Sequence, residues 1–159
     1  MELAEIANLP YRDNVCAVVF KGEKFLLIQR KRWPDKWWQF PQGGVEDDES
    51  DEDAVRRELA EEVGLQDIQV IGKSEHTRKY DWGIDTVEEI GFKWRGQHQK
   101  FFVVEFLGEC GEVVLEPEFQ KYKWAEQDEL FKSIDHMDPD FAGYKSAVEK
   151  VLREFGIIY

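Results

Sequence analysis

The stretch Gly43–Leu65, GGVEDDESDEDAVRRELAEEVGL, restricts the fold more than any other part of the chain. Ser50 followed three residues later by Asp53 has the layout of a capped helix start. The acids Asp51 to Asp53 lie in the first turn, where the helix dipole favours them. Gly64 suits the left-handed residue that ends a helix. Val55, Leu59 and Val63 recur every four residues and form the stripe to be buried. On that helix Glu58, Glu61 and Glu62 stand at i, i+3 and i+4, within roughly 100° of one another and beside the stripe. Like charges so placed weaken an isolated helix. Their placement points to a cation, and oxygen-only ligands suit Mg2+ or Mn2+.

The rest of the chain supplies a sheet for this helix. Val15–Phe20 is a near-continuous apolar run of the kind a buried strand shows, and Phe25–Ile28 reads as the second arm of a hairpin across Gly22. Trp37–Phe40 reads as a short strand ending at Pro41. Ile68–Ile71, Ser74–Tyr80 and Lys100–Leu107 read as strands, with Val113–Leu115 and Lys121–Trp124 as shorter ones. Asp81–Glu89 reads as a polar loop. Gln127–Ser133 reads as a short helix, and Tyr144–Phe155 as an amphipathic helix with Tyr144, Ala147, Val148, Val151, Leu152 and Phe155 on one side. Strands mixed with two substantial helices predict an α/β (α+β) sandwich with a mixed sheet, a single domain over residues 1–159.

Charge narrows the partners. Lys+Arg 21 against Asp+Glu 34 gives a net charge of −13, which argues against extended nucleic-acid binding through phosphate neutralisation. Cys16 lies in an apolar strand pattern and reads as a reduced core thiol, and Cys16 and Cys110 lack metal-ligand spacing. The N-terminal residues lack the pattern of a signal peptide, and no apolar run reaches the length of a membrane span. A cytoplasmic setting is the default expectation. His76, His98 and His136 are isolated and read as ordinary polar or loop residues.

Gly43, then five residues, Glu49, then seven, Arg57-Glu58-Leu59, one, Glu61-Glu62, one, Gly64-Leu65 resembles the Nudix box with every fixed position filled. Over about Leu9 to Phe155 the chain is similar to one branch of that family, the bacterial RNA pyrophosphohydrolases and plant-type asymmetric diadenosine tetraphosphate hydrolases. Trp38–Gly44 (WQFPQGG), Gly96–Lys100 (GQHQK) and Pro117–Phe119 (PEF) look like that branch's motifs. Tyr11–Val15 is similar to its YRPNV entry, with Asp13 in place of proline.

The resemblance implies the Nudix fold, a mixed β-sheet between helices, and metal-dependent attack of water on a phosphorus in a nucleotide pyrophosphate linkage. It implies that Glu58, Glu61, Glu62 and Glu118 hold Mg2+ or Mn2+ with the carbonyl of Gly43 or Gly44, and that Glu62 or Glu118 (with Glu61 also among the catalytic carboxylates) takes the proton from water. It implies a structural pair of Glu49 and Arg57, with Gly43 and Gly64 also structural. Phosphate contacts are expected from Arg12, Arg30, Gln42, Gln97, Gln99 and Lys100. Base stacking is expected from Tyr80, although Trp82-Gly83 departs from the branch there, and from Tyr144-Lys145, with Phe141 as the alternative. The substrate is either a diadenosine tetraphosphate-type dinucleotide or the triphosphorylated 5′ end of RNA. A catalytically silent nucleotide-binding module is the competing reading; it predicts loss of a box glutamate, and none is lost.

Overall fold

The computed structural model describes residues 2–136 and 138–158. A short helix α1 (Leu3–Ile6) leads into β1 (Tyr11–Lys21) and β2 (Lys24–Arg30). Then come β3 (Gln42–Gly44), α2 (Asp51–Val63), β4 (Ile68–Asp81), α3 (Ile84–Glu89) and β5 (Gly96–Phe106). β6 (Phe119–Ala125), α4 (Gln127–Ser133) and α5 (Tyr144–Glu154) complete the chain. The sheet runs β4-β5-β1-β2-β6, with β3 paired to β1. β1 and β5 are parallel and the other pairings are antiparallel, so the sheet is mixed as expected.

Alternation along the strands divides the core into two faces. Val15, Ala17, Val19, Leu26, Ile28, Phe102 and Val104 pack against Val55, Leu59 and Val63 of α2. Cys16, Val18, Leu27, Phe101 and Val103 pack on the other face against Leu130 of α4 and Tyr144, Val148, Val151 and Leu152 of α5. The sheet is therefore enclosed by helices on both faces, and the free thiol of Cys16 is buried in the second core.

The hairpin of β1 and β2 is paired in register only at Phe20–Phe25 and Lys21–Lys24. Beyond that the two strands part and the segment from Gln39 to Gly44 lies between them. Gln39 bridges to Ile28, Ala17 N–H donates to Pro41 O at 2.9 Å, and Gln42–Gly44 pairs with Asn14–Cys16. Trp37–Phe40 is thus not the expected strand. Pro41 has no N–H to continue a ladder, and pairing resumes only after it.

Other boundaries also shift. Ile68–Ile71 and Ser74–Tyr80 form one strand, bent by register shifts at Val70/Gly72 and Lys73/Thr77. Asp81–Glu89 contains α3 rather than loop alone. Val113–Leu115 is not a strand: Val114 and Glu116 donate their N–H groups to Val63 O and Glu62 O at 3.0 Å, carbonyls left free at the end of α2. No helix among the described residues is long and apolar enough to cross a membrane.

Candidate active site

Helix α2 starts and stops as its sequence dictates. Ser50 Oγ accepts from Asp53 N–H at 3.1 Å, and Gly64 takes φ 68° with its N–H on Leu59 O. The helix buries Val55, Leu59 and Val63 on the sheet, which also draws Glu62, one position away from that stripe, under cover at 2 % exposure. Glu62 Oε1 accepts from Gln42 N–H at 3.2 Å, while Oε2 is buried without a hydrogen-bond partner among the described residues. Desolvation, and then the charges of Glu58 and Glu118, push its carboxyl up to about 9 against partial relief from Arg30 and the Gln42 N–H.

Arg57 gathers the acids around it. Its Nε and Nη2 donate to the two oxygens of Glu49 at 2.8 and 2.9 Å, a two-bond pair. Nη2 also donates to Gly44 O at 2.8 Å, and Nη1 to Glu58 Oε1 at 2.8 Å and Glu61 Oε2 at 3.3 Å. The Arg57 guanidinium, with the Glu46 N–H second, holds the Glu49 carboxyl down at about 2. Glu58 is shifted the other way, chiefly by desolvation, with Arg57 opposing. A Cβ on Gly43 would overlap the Glu58 carboxylate, so this close approach requires glycine. A Cβ on Gly44 would meet the Arg12 guanidinium, which rests 5.4 Å from the centre of the Trp94 ring.

Glu118 arrives from the segment tied to the end of α2. Its Oε2 accepts from Arg30 Nη1 at 3.1 Å, and Arg30 also lies over the Phe119 ring. Among the described residues no three His, Cys, Asp or Glu side chains are already gathered as a metal cage. The donor set nonetheless fits a hard divalent cation: Glu58, Glu61, Glu62 and Glu118 offer oxygen only, and one buried oxygen of Glu62 lacks a partner.

Beside these carboxylates lies a slot of about 170 Å³ lined by Arg30, Gln42, Tyr80, Gln97, Trp33 and Phe141, among others. It brings Arg30, Gln42, Tyr80 and Gln97 together. Tyr80 is mostly buried, its ring 4.2 Å from the Arg78 guanidinium and its hydroxyl accepting from Gln97 Nε2 at 2.5 Å. A larger cleft of about 740 Å³ over Trp37, Trp38 and His136 lies apart from the box carboxylates.

Several expected contacts stand elsewhere. Tyr144 is 1 % exposed, accepts from Phe40 N–H at 2.9 Å and contacts Cys16 Sγ, so its ring cannot stack on a base. The apolar stripe of α5 claims it, and Phe141, three residues earlier, lines the slot instead. Gln99 is fully buried and bonds to Asn14, Gln42 and Arg78 rather than facing a phosphate. Lys100 is paired with Asp51 and Asp13, and Lys145 with Asp135. Sequence reasoning missed Arg78, Trp33 and Trp94. A basic residue two positions before Tyr80, on the same strand face, was the available signal for Arg78.

Comparison with known proteins bears on the family and the fold. A NUDIX domain profile matches residues 10–146. An RNA pyrophosphohydrolase of Acidiphilium cryptum (strain JF-5) is 38 % identical over 126 residues, covering 74 % of this chain and 77 % of its own. The solved structure of a C. elegans Ap4A hydrolase binary complex superposes with a TM-score of 0.65 at 20 % identity, over 91 % of this chain and 99 % of the other. A bifunctional NMN adenylyltransferase/ADP ribose pyrophosphatase from Francisella tularensis, complexed with AMP and Mn ion, superposes at 0.60 and 24 % identity, over 92 % of this chain and 42 % of the other. The last two likenesses speak to fold. With the profile covering most of the chain and the glutamate box intact on α2, the chain belongs to the NUDIX family and is a Nudix hydrolase.

Proposed function

We propose that the enzyme hydrolyses, with divalent cations, a pyrophosphate linkage in a nucleoside 5′-polyphosphate, either the triphosphorylated 5′ end of RNA or a diadenosine tetraphosphate-type dinucleotide. One observation carries this reading: the buried, half-unpartnered carboxylate of Glu62, flanked by Glu58 and Glu118, beside an aromatic slot that contains Arg30 and Gln42. Glu58, Glu61, Glu62 and Glu118 would hold Mg2+ or Mn2+, with the carbonyl of Gly43 or Gly44. Bound cations supply charge neutralisation and lower the pKa of water. Arg57 orients Glu58 and Glu61 and is itself anchored on Glu49. Arg30 and Arg12 offer charge-assisted donors to phosphate oxygens, and Tyr80, Trp33 and Phe141 offer aromatic surface to a base. Water attacks phosphorus, the bridging P–O bond breaks, and Glu62 or Glu118 takes the proton.

The name carried by the Acidiphilium cryptum relative supports the RNA end. The net charge of −13 favours a compact substrate, a small nucleotide or a short RNA end, over one gripped along its length. Side-by-side turnover of a 5′-triphosphorylated oligonucleotide and diadenosine tetraphosphate in 18O-labelled water identifies both the substrate and the phosphorus attacked. Cleavage of neither refutes the assignment. A silent binding module would leave both substrates intact while still binding nucleotide.

A further inference from the structure

A row of amides that reaches the slot at Gln42 and Gln39 has its hydrogen-bond direction set from one end. Arg78 on β4 is mostly buried, and its partners are amide and carbonyl oxygens. A guanidinium only donates. Arg78 Nε and Nη2 both donate to Gln99 Oε1 at 3.1 Å, which fixes the oxygen end of that amide. Gln99 Nε2 therefore faces the other way, donating to Asn14 Oδ1 at 2.8 Å and to Gln42 Oε1. Gln42 in turn presents Nε2 to Gln39 Oε1 at 3.1 Å. The row ends on Gln39 Nε2, a donor buried without a hydrogen-bond partner among the described residues, on a side chain that lines the slot with Tyr80 and Phe141. Turning any one amide over would set like groups against each other along the row. Arg78 Nη1 also donates to Asp140 O and Ala142 O at 2.8 and 3.0 Å, so the same guanidinium fastens the turn that carries Phe141.

An unmet buried donor is costly, and a ligand acceptor relieves that cost. We propose that Gln39 Nε2 is a specificity-determining donor that reads a ring-nitrogen acceptor on the edge of a purine base stacked in the slot, and that Arg78 is the positioning residue that keeps this group a donor. The inference rests on the slot being the nucleotide site of the proposed function. Its consequence is selective: a base lacking the acceptor leaves the donor unpaired, a stronger rejection than an apolar wall achieves.

The test uses the full chain with Mg2+ and whichever substrate the wild type cleaves, diadenosine tetraphosphate or a 5′-triphosphorylated adenine dinucleotide. Each is remade with 1-deaza-, 3-deaza- or 7-deazaadenine. One of the three analogues is expected to raise KM about tenfold or more, with kcat within about threefold. Gln39→Leu and Arg78→Met should erase that ratio, whereas Arg78→Lys, still donor-only, should retain it. A merely structural role for Arg78 would lower Tm or kcat alike for all bases and leave the ratio intact. Equal KM for all analogues in the wild type, the result if a phosphate or ribose oxygen is the acceptor, overturns the proposal. So does a ratio that survives in Gln39→Leu, a variant that keeps the test open should Arg78→Met fail to fold. A wild type that cleaves neither parent substrate refutes the functional reading instead, a distinct result.

Discussion

Replacing Arg57 by Met, which keeps the aliphatic stem and removes the guanidinium, measures how firmly the glycine loop is tied to α2. The pair with Glu49 is well shielded, with side-chain exposures of 23 % and 14 %. Glu49 titrates at about 2 in the fold against an ordinary 4.5, a difference of 2.5 units. At about 1.4 kcal/mol per unit this corresponds to about 3.5 kcal/mol. The Glu46 N–H contributes part of the shift and survives the substitution, so about 2 kcal/mol is expected for the Arg57–Glu49 coupling itself. Because the folded pKa is depressed, this stability is present above about pH 4.5 and is lost as the pH falls through about 2. A double-mutant cycle of Arg57→Met and Glu49→Gln, followed by urea unfolding with chelator present, reads the coupling directly. It should be about 2 kcal/mol at pH 7 and less than half of that near pH 2. A coupling below about 0.5 kcal/mol at pH 7, the range of an exposed ion pair, or one that does not weaken in acid, would show that the guanidinium does not hold the Glu49 carboxylate in this way.

Glu62 gives the opposite sign. Its folded pKa is raised to about 9, so the stability it contributes is present below about pH 4.5 and is lost as the pH rises through about 9. Thermal unfolding of metal-free protein should show Tm falling over that window, a slope that Glu62→Gln abolishes while reducing turnover at least about a hundredfold. Gly43→Ala should cut activity and Mg2+ affinity more than Gly44→Ala. The Glu58 carboxylate it meets is pinned by Arg57, whereas the Arg12 guanidinium beside Gly44 rests on Trp94; paired Mg2+ titrations compare them. Tyr144→Phe should cost about 1–2 kcal/mol in urea unfolding, through the unpaired Phe40 N–H, with KM unchanged. Phe141→Ala should raise KM several-fold, with some loss of Tm from its edge contacts with Trp33, His136 and Tyr144; an unchanged KM would remove Phe141 from the proposed base site.

Local chemistry was legible in the sequence wherever one short segment determines it. Ser50, Gly64 and the spacing of Val55, Leu59 and Val63 fix α2, and the structure gives it those same ends. The meeting of Glu49 with Arg57 follows from the register of the box. What sequence could not settle depends on segments far apart in the chain. Tyr144 satisfies both a stacking motif and an apolar stripe; only the packing of α5 on Phe101 and Cys16 decides between them. Lys100 looks available for phosphate until β5 sets it beside Asp51 and Asp13. Arg78 has no local signature of its role, since its partners lie on β5 and in the turn at 140–142. Trp37–Phe40 has strand composition, but its place in the opened hairpin is determined by pairing with both neighbours, interrupted at Pro41.

The bonds from Val114 and Glu116 to the last carbonyls of α2 have a consequence for how the loop between β5 and β6 tolerates change. These two backbone links fix where residues 116–118 leave the helix end, so the separation of Glu118 from Glu62 is set by a splice and not by the length of chain before it. Upstream of that splice Gly111 stands in open space, next to the Cys110 carbonyl that accepts from Trp124 Nε1, so an insertion at Gly111 should leave both backbone links and both carboxylates in place. One residue inserted between Glu116 and Glu118 would instead shift Glu118 relative to Arg30. In engineering terms the first position is a port for a peptide tag or a fused domain, and the second segment is a fixed fitting of the candidate active site.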